Sequence, residues 1–127
     1  MQPLRVFSVI PKVPAELEPL WQIAHNYLFA WSSPLADLFI YIDPELWSRS
    51  YGNPVWFLNH VSQSRYEELV NDDPYLKRSQ LTAKFLDDYI SAPSKYKLEG
   101  QEDGQPVVAY FSLEFGVTLC LPIYSGG

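Results

Sequence analysis

Residues 33–60 read SPLADLFIYIDPELWSRSYGNPVWFLNH, and their punctuation decides the fold. Ser33-Pro34, Asp43-Pro44 and Asn53-Pro54 each set a good N-cap residue before a proline, and Asp73-Pro74 repeats the pattern. The cap side chain accepts a bond from a backbone N–H that a helix start leaves unpaired. A proline at the first helical position has no N–H to leave unsatisfied. The four pairs predict helices over 34–42, 44–50, 54–60 and 74–91, the last ended by Pro93. Ser64-Arg65-Tyr66-Glu67 fits a capping box and predicts another helix near 63–71.

On the N-terminal side, residues 15–31 carry a helical period. Leu17, Leu20, Trp21, Ala24, Tyr27, Leu28 and Trp31 fall on one stripe, and Pro19 is tolerated in a first turn. Residues 1–13 read as an extended lead-in, an edge strand or an arm packed on the body, because Pro3, Pro11 and Pro14 keep them out of a helix. In the helix after Pro74, Leu81, Phe85, Leu86, Tyr89 and Ile90 are expected to face inward. Residues 92–106, APSKYKLEGQEDGQP, read as a linker or exposed loop. Residues 107–113 begin VVAYF, a near-continuous apolar run of the kind buried on both faces of a parallel sheet. No second strand of equal strength is present in the sequence. The expectation is an incomplete sheet, and an unpaired edge at 107–111 through which the chain self-associates.

Composition narrows the function. Hydrophobic residues make up 47% and aromatics 16% of 127 residues, enough for a packed core in one domain or less. Nine scattered basic residues against 15 acidic ones, with a net charge of −6, argue against a nucleic-acid partner. The single cysteine, Cys120, excludes an internal disulfide and suits a reducing, cytoplasmic setting. No signal peptide is read at the N-terminus, and no apolar run is long enough to span a membrane.

No reactive constellation stands out in residues 1–106. His25 and His60 have no carboxylate or cysteine at ligand spacing and read as structural or surface residues, so no metal site is expected. Trp21, Trp31, Trp47 and Trp56 are read as fillers between short helices and not as a sugar platform. Asp73 reads as a cap, and Asp87-Asp88 as a solvated face. Ser112 lies outside any G-x-S-x-G elbow. Cys120 has no cationic neighbour in sequence to lower its pKa. Gly126-Gly127 is unremarkable alone. After a buried-type strand it reads as a loop whose backbone N–H groups approach an anion, usually ahead of a helix N-terminus.

Here the residues resemble a known family. Ala109-Tyr110-Phe111-Ser112-Leu113-Glu114-Phe115-Gly116, followed by Leu121-Pro122-Ile123-Tyr124-Ser125-Gly126-Gly127, resembles the start of the catalytic region of α-glucan (glycogen, starch or maltodextrin) phosphorylases. The likeness is to the shorter bacterial and archaeal branch, where Y-F-S-x-E-F-G leads to L-P-I-Y-S-G-G and then L-G-V-L-A-G-D. Leu20 to Tyr27 with Trp31-Ser32 resembles that branch's helical module, and Asp43 to Trp47 and Asn53 to Leu58 continue the match. Val117, Thr118, Leu119 and Cys120 depart from it, standing where the branch usually has polar residues including a glutamate.

The resemblance implies a fold and a reaction. The fold class is mainly α: an N-terminal helical module of about six short helices over 1–104, then the first strand and start of the Gly-rich loop of a Rossmann-like α/β (GT-B) domain over 105–127. The implied reaction is phosphorolysis of terminal α-1,4-glucosidic bonds to glucose 1-phosphate. Its partners are an α-1,4-glucan and inorganic phosphate, and its cofactor is pyridoxal 5′-phosphate. Carried over to this chain, the loop that faces cofactor and substrate gives Gly126 and Gly127 as cofactor-binding residues. In the family the lysine that holds the cofactor and the residues that grip phosphate lie far downstream. The 127 residues alone are therefore expected to be an inactive N-terminal part that does not bind the cofactor stably. The alternatives are the N-terminal part of a glycogen or starch synthase of the same GT-B type, or a non-catalytic helical binding module.

Overall fold

A computed structural model describes residues 11–93 and 118–121. Every regular element among them is helical. The six helices are α1 (Glu18–Ala24), α2 (Ser33–Ile42), α3 (Pro44–Arg49), α4 (Pro54–Leu58), α5 (Gln63–Val70) and α6 (Asp73–Ser91). Short 3-10 turns at Ala15–Leu17 and Tyr27–Ala30 flank α1. The expected strand at 107–113, most of the 92–106 linker and the glycine pair lie outside the described residues.

The cap–proline reading holds most literally in the middle of the chain. Asp43 accepts from the Leu46 N–H at 2.8 Å, and Asn53 from the Trp56 N–H at 2.8 Å. Three other starts shift by one or two residues. Ser32, not Ser33, caps α2, without a side-chain bond. Ser62, not Ser64, caps α5, accepting from the Arg65 N–H at 3.2 Å. Asp72, not Asp73, caps α6, accepting from the Tyr75 N–H at 3.0 Å. In α2 and α6 the proline therefore sits at the second helical position, where an N–H is still dispensable. Helix α6 stops at Ser91 with extended Ala92, as sterics require of the residue before Pro93.

Two sequence expectations are corrected. The helix expected over 15–31 is broken at His25-Asn26. Asn26 is extended (φ −121°, ψ 126°), and its side chain accepts from the Leu28 N–H at 2.9 Å, so a capping residue restarts the chain as a 3-10 turn. Beyond the break the phase changes: Phe29 is buried, whereas Tyr27 and Trp31 are exposed. The inward stripe of α6 is also different. Tyr75, Ser79, Thr82, Ala83 and Leu86 face the core, and Leu81, Phe85, Tyr89 and Ile90 are exposed. Ser79 and Thr82 hide the true stripe from a hydrophobicity count. Their small side chains let α6 approach the body, and Ser79 Oγ donates to the Leu76 carbonyl at 2.8 Å.

The core gathers Leu17, Leu20 and Ile23 from the first turns with Leu35, Leu38 and Phe39 of α2, Phe57 and Leu58 of α4, and residues of α5 and α6. Helix α1 packs on α6 and α4, and α2 on α3 and α6. Trp47 stacks on Phe39 (5.1 Å, 8°) and meets Phe57 and Phe29 edge-on. Offset and edge-to-face contacts add to area burial by about 0.5–1.5 kcal/mol per pair. Two buried tyrosines tie helices through their hydroxyls: Tyr66 donates to the Leu58 carbonyl at 2.5 Å, and Tyr75 to the Leu38 carbonyl at 3.1 Å. Burial pushes both phenols above their ordinary range. Of the lead-in, Val13 packs against the core and the Lys12 N–H donates to Gln63 Oε1 at 3.2 Å.

Candidate functional site

The described residues nearest the glycine pair in sequence are Thr118–Leu121, of which Leu119, Cys120 and Leu121 line two clefts together with residues at the end of α1 and the start of α4. They form a turn in which the Leu121 N–H donates to the Thr118 carbonyl at 3.1 Å. Cys120 and Leu121 close one side of a cavity of about 260 Å³, whose other walls include Ala24 and His25 at the end of α1, Phe29, and Asn53 and Val55 at the start of α4. A shallower cleft of about 400 Å³ on the other side of Asn53 and Cys120 is lined by Arg49, Tyr51, Trp56 and Leu119. Leu119 projects into solvent.

Local sequence builds this seat. The Asn53 side chain is committed to capping α4, which fixes the backbone at the cavity wall. Ahead of it, Tyr51 (φ 52°) and Gly52 (φ 70°) take left-handed conformations, turning the chain between α3 and α4. Gly52 is the natural residue there; Tyr51 is an uncommon one. Ser50 Oγ donates to the Trp47 carbonyl at 2.6 Å and holds the preceding turn.

His25 is placed by a device that occurs twice. Its Nδ1 lies 2.8 Å from the Trp21 carbonyl, and its ring stacks on Trp21. His60 repeats this on Trp56, at 2.7 Å from the carbonyl and 3.7 Å between ring centroids. A carbonyl only accepts, so Nδ1 carries the proton and donates in both cases. Each histidine thus covers a helix end and a tryptophan face. The W-x-x-x-H spacing that encodes both pairs is visible in the sequence at Trp21–His25 and Trp56–His60.

The other sequence-read residues are dispersed. Trp47 belongs to the core aromatics, Trp21 and Trp56 are half-buried against it, and Trp31 is exposed. Asp87 accepts from Gln22 Nε2, and Asp88 pairs with Lys84 at 2.9 Å. Cys120 Sγ lies 3.6 Å from Thr118 Oγ1. His25 and Cys120 line the same cavity, a pairing that sequence distance concealed. No cluster of three or more His, Cys, Asp or Glu suited to a metal occurs among the described residues. None of their helices is long and apolar enough to cross a membrane. Gly126 and Gly127 lie outside the described residues.

The described cavity does not fit pyridoxal phosphate. Among the described residues its walls carry neither lysine for an aldehyde nor lysine or arginine for a phosphate, and the polar groups are His25, Tyr27, Asn53 and the Cys120 thiol. What it does is bring the Thr118–Leu121 turn opposite the end of α1 and the capped start of α4.

Comparison with known proteins agrees in extent with the sequence. The chain is 41% identical over 133 aligned residues to glycogen phosphorylase of Mycobacterium tuberculosis (strain ATCC 25618 / H37Rv), covering all of this chain and 15% of that protein. It is 34% identical to maltodextrin phosphorylase of Thermococcus litoralis, covering 96% of this chain and 15% of the relative. With glycogen phosphorylase of Aquifex aeolicus it shares 28% identity over 87% of its length, again 15% of the relative. The chain therefore spans about one-seventh of the length of these relatives. No solved structure matches it. Residues 13–121 match the family described as "Protein of unknown function (DUF3417)", and the chain belongs to that family.

Proposed function

We propose that this chain is the N-terminal helical module of an α-glucan phosphorylase, and that its task is to seat the strand and Gly-rich loop that enter the catalytic cleft. Residues 1–104 form the module, and 105–127 are the first strand and the start of the loop of a GT-B domain. The observation that carries this reading is the in-order match of the whole chain to 15% of a glycogen phosphorylase. The placement of Cys120 and Leu121 across one cavity from the end of α1 and the start of α4 supports it, because that turn precedes the segment with Gly126 and Gly127.

The whole enzyme releases glucose 1-phosphate from the terminal α-1,4 bond of a glucan, with inorganic phosphate as the acceptor and pyridoxal 5′-phosphate supplying acid–base chemistry through its own phosphate. This chain's share is positional. Gly126 and Gly127 present backbone N–H groups without a side chain, which lets the main chain approach an anion or a sugar closely. The setting is cytoplasmic.

Purified residues 1–127 are assayed for phosphate-dependent release of glucose 1-phosphate from maltodextrin, with and without pyridoxal phosphate. No release is expected. Turnover by the chain alone would overturn the assignment of a purely positional role.

A further inference from the structure

We infer that α6 is a self-association surface, on which a second copy of this chain docks its own α6 in antiparallel orientation. The outer face of α6 is apolar at its middle and oppositely charged at its ends. Leu81 and Phe85 are 60% and 50% exposed. Toward the N-terminus, Lys77 and Arg78 join Pro34 and Pro74 around a groove of about 540 Å³ floored by Leu81, Thr82 and Phe85. Toward the C-terminus the same face carries Asp88, with Tyr89 at its edge. Asp87 is the last residue tied to the body, through Gln22, and Asp88 to Ser91 are all exposed.

Charge selects the orientation. Parallel pairing about this face brings Lys77 and Arg78 against themselves. Antiparallel pairing about the midpoint of Leu81 and Phe85 sets each Leu81 against the Phe85 of the second copy. It also sets each Arg78 against the second copy's Asp88, and brings that copy's Tyr89 to the groove beside Lys77. An aromatic ring under a lysine and a carboxylate beside an arginine match what the groove presents. The intramolecular partners of these charges are weak competitors: Arg78–Asp37 is 3.6 Å long, and Lys84–Asp88 joins two largely exposed side chains. One 19-residue helix offers a small interface, so the dimer is a weak one.

Sedimentation equilibrium on the full 127-residue chain tests this. A monomer–dimer equilibrium is expected at or above roughly micromolar concentration. Leu81→Lys abolishes it, with the circular dichroism of the folded chain unchanged. Arg78→Asp and Asp88→Arg each weaken it by about tenfold, because two ion pairs become two like-charge contacts. Mixing these two variants restores association to within about threefold of the original, since every cross-chain contact is again between opposite charges. Monomer at all concentrations up to about 1 mM overturns the proposal. So does association that survives Leu81→Lys, which assigns it to another surface such as residues 107–111. So does failure of the two variants to rescue each other when mixed.

Discussion

Arg65 Nε donates to the Ile42 carbonyl at 3.0 Å, across 23 positions of sequence. Nη2 reaches the Tyr41 carbonyl at 3.3 Å, so a guanidinium on α5 covers the C-terminal carbonyls of α2. A cation there satisfies orphan acceptors and opposes the negative end of the helix dipole. Nη1 also bonds Glu68 at 2.7 Å, which holds the fork in place. Arg65→Ala is expected to lower unfolding free energy by about 1–2 kcal/mol. Arg65→Lys should recover only part of this, since a single ammonium nitrogen does not match the spread of Nε, Nη1 and Nη2 over two carbonyls and Glu68. Urea denaturation of the two variants gives the comparison; equal stability of Arg65→Ala and the parent would remove the tie.

Alkaline stability should report the two buried tyrosines. Burial raises the folded-state pKa of Tyr66 and Tyr75, so between the ordinary phenol value and those raised values the folded chain keeps protons that the unfolded chain has lost. Their contribution is complete below about pH 10 and is lost as pH rises toward the folded values, at about 1.4 kcal/mol per pH unit for each phenol. Stability measured from pH 9 to 11.5 should fall steadily above pH 10. Tyr66→Phe should fall about half as steeply from a lower starting point, because the Leu58 carbonyl loses its donor.

At the seat of the turn, Asn53→Ala removes the α4 cap and should cost about 1 kcal/mol. Because Asn53 and Cys120 share both clefts, the same change should raise hydrogen exchange at the Leu121 amide more than at the Tyr66 amide in the core. Equal effects at the two amides would separate the cap from the seat.

Gly52 has φ 70°, yet a Cβ built there meets only the Trp47 ring edge at 3.8 Å, an ordinary contact. Gly52→Ala therefore pays only the left-handed backbone term, about 1 kcal/mol. A loss of 3 kcal/mol or more in thermal unfolding would mean a steric clash that the distance does not show.

The helical frame was legible where local chemistry sets it. The Asp43 and Asn53 caps follow from cap–proline pairs alone, and five of the predicted helices lie within about two residues of those observed. What the sequence hid was tertiary. Ser79 and Thr82 face the core while Leu81 and Phe85 face out, and only the packing partner decides between two faces of similar polarity. The Arg65 cap on α2 and the meeting of His25 with Cys120 at one cavity join residues far apart in sequence, which no spacing rule encodes. Of the candidate site, the seat was not foreseen, and Gly126 and Gly127 stand on the resemblance of their motif to phosphorylases.

The most direct measurement replaces the matching segment of the Mycobacterium tuberculosis glycogen phosphorylase with this chain and assays glucose 1-phosphate release from maltodextrin and phosphate. The chimera should be active, and, on the proposed reading that the backbone at Gly126-Gly127 approaches cofactor and substrate, Gly126→Val with Gly127→Val should lower kcat by about a hundredfold or more while the protein stays folded. A folded chimera with no activity, or full activity in the double valine variant, would contradict the account.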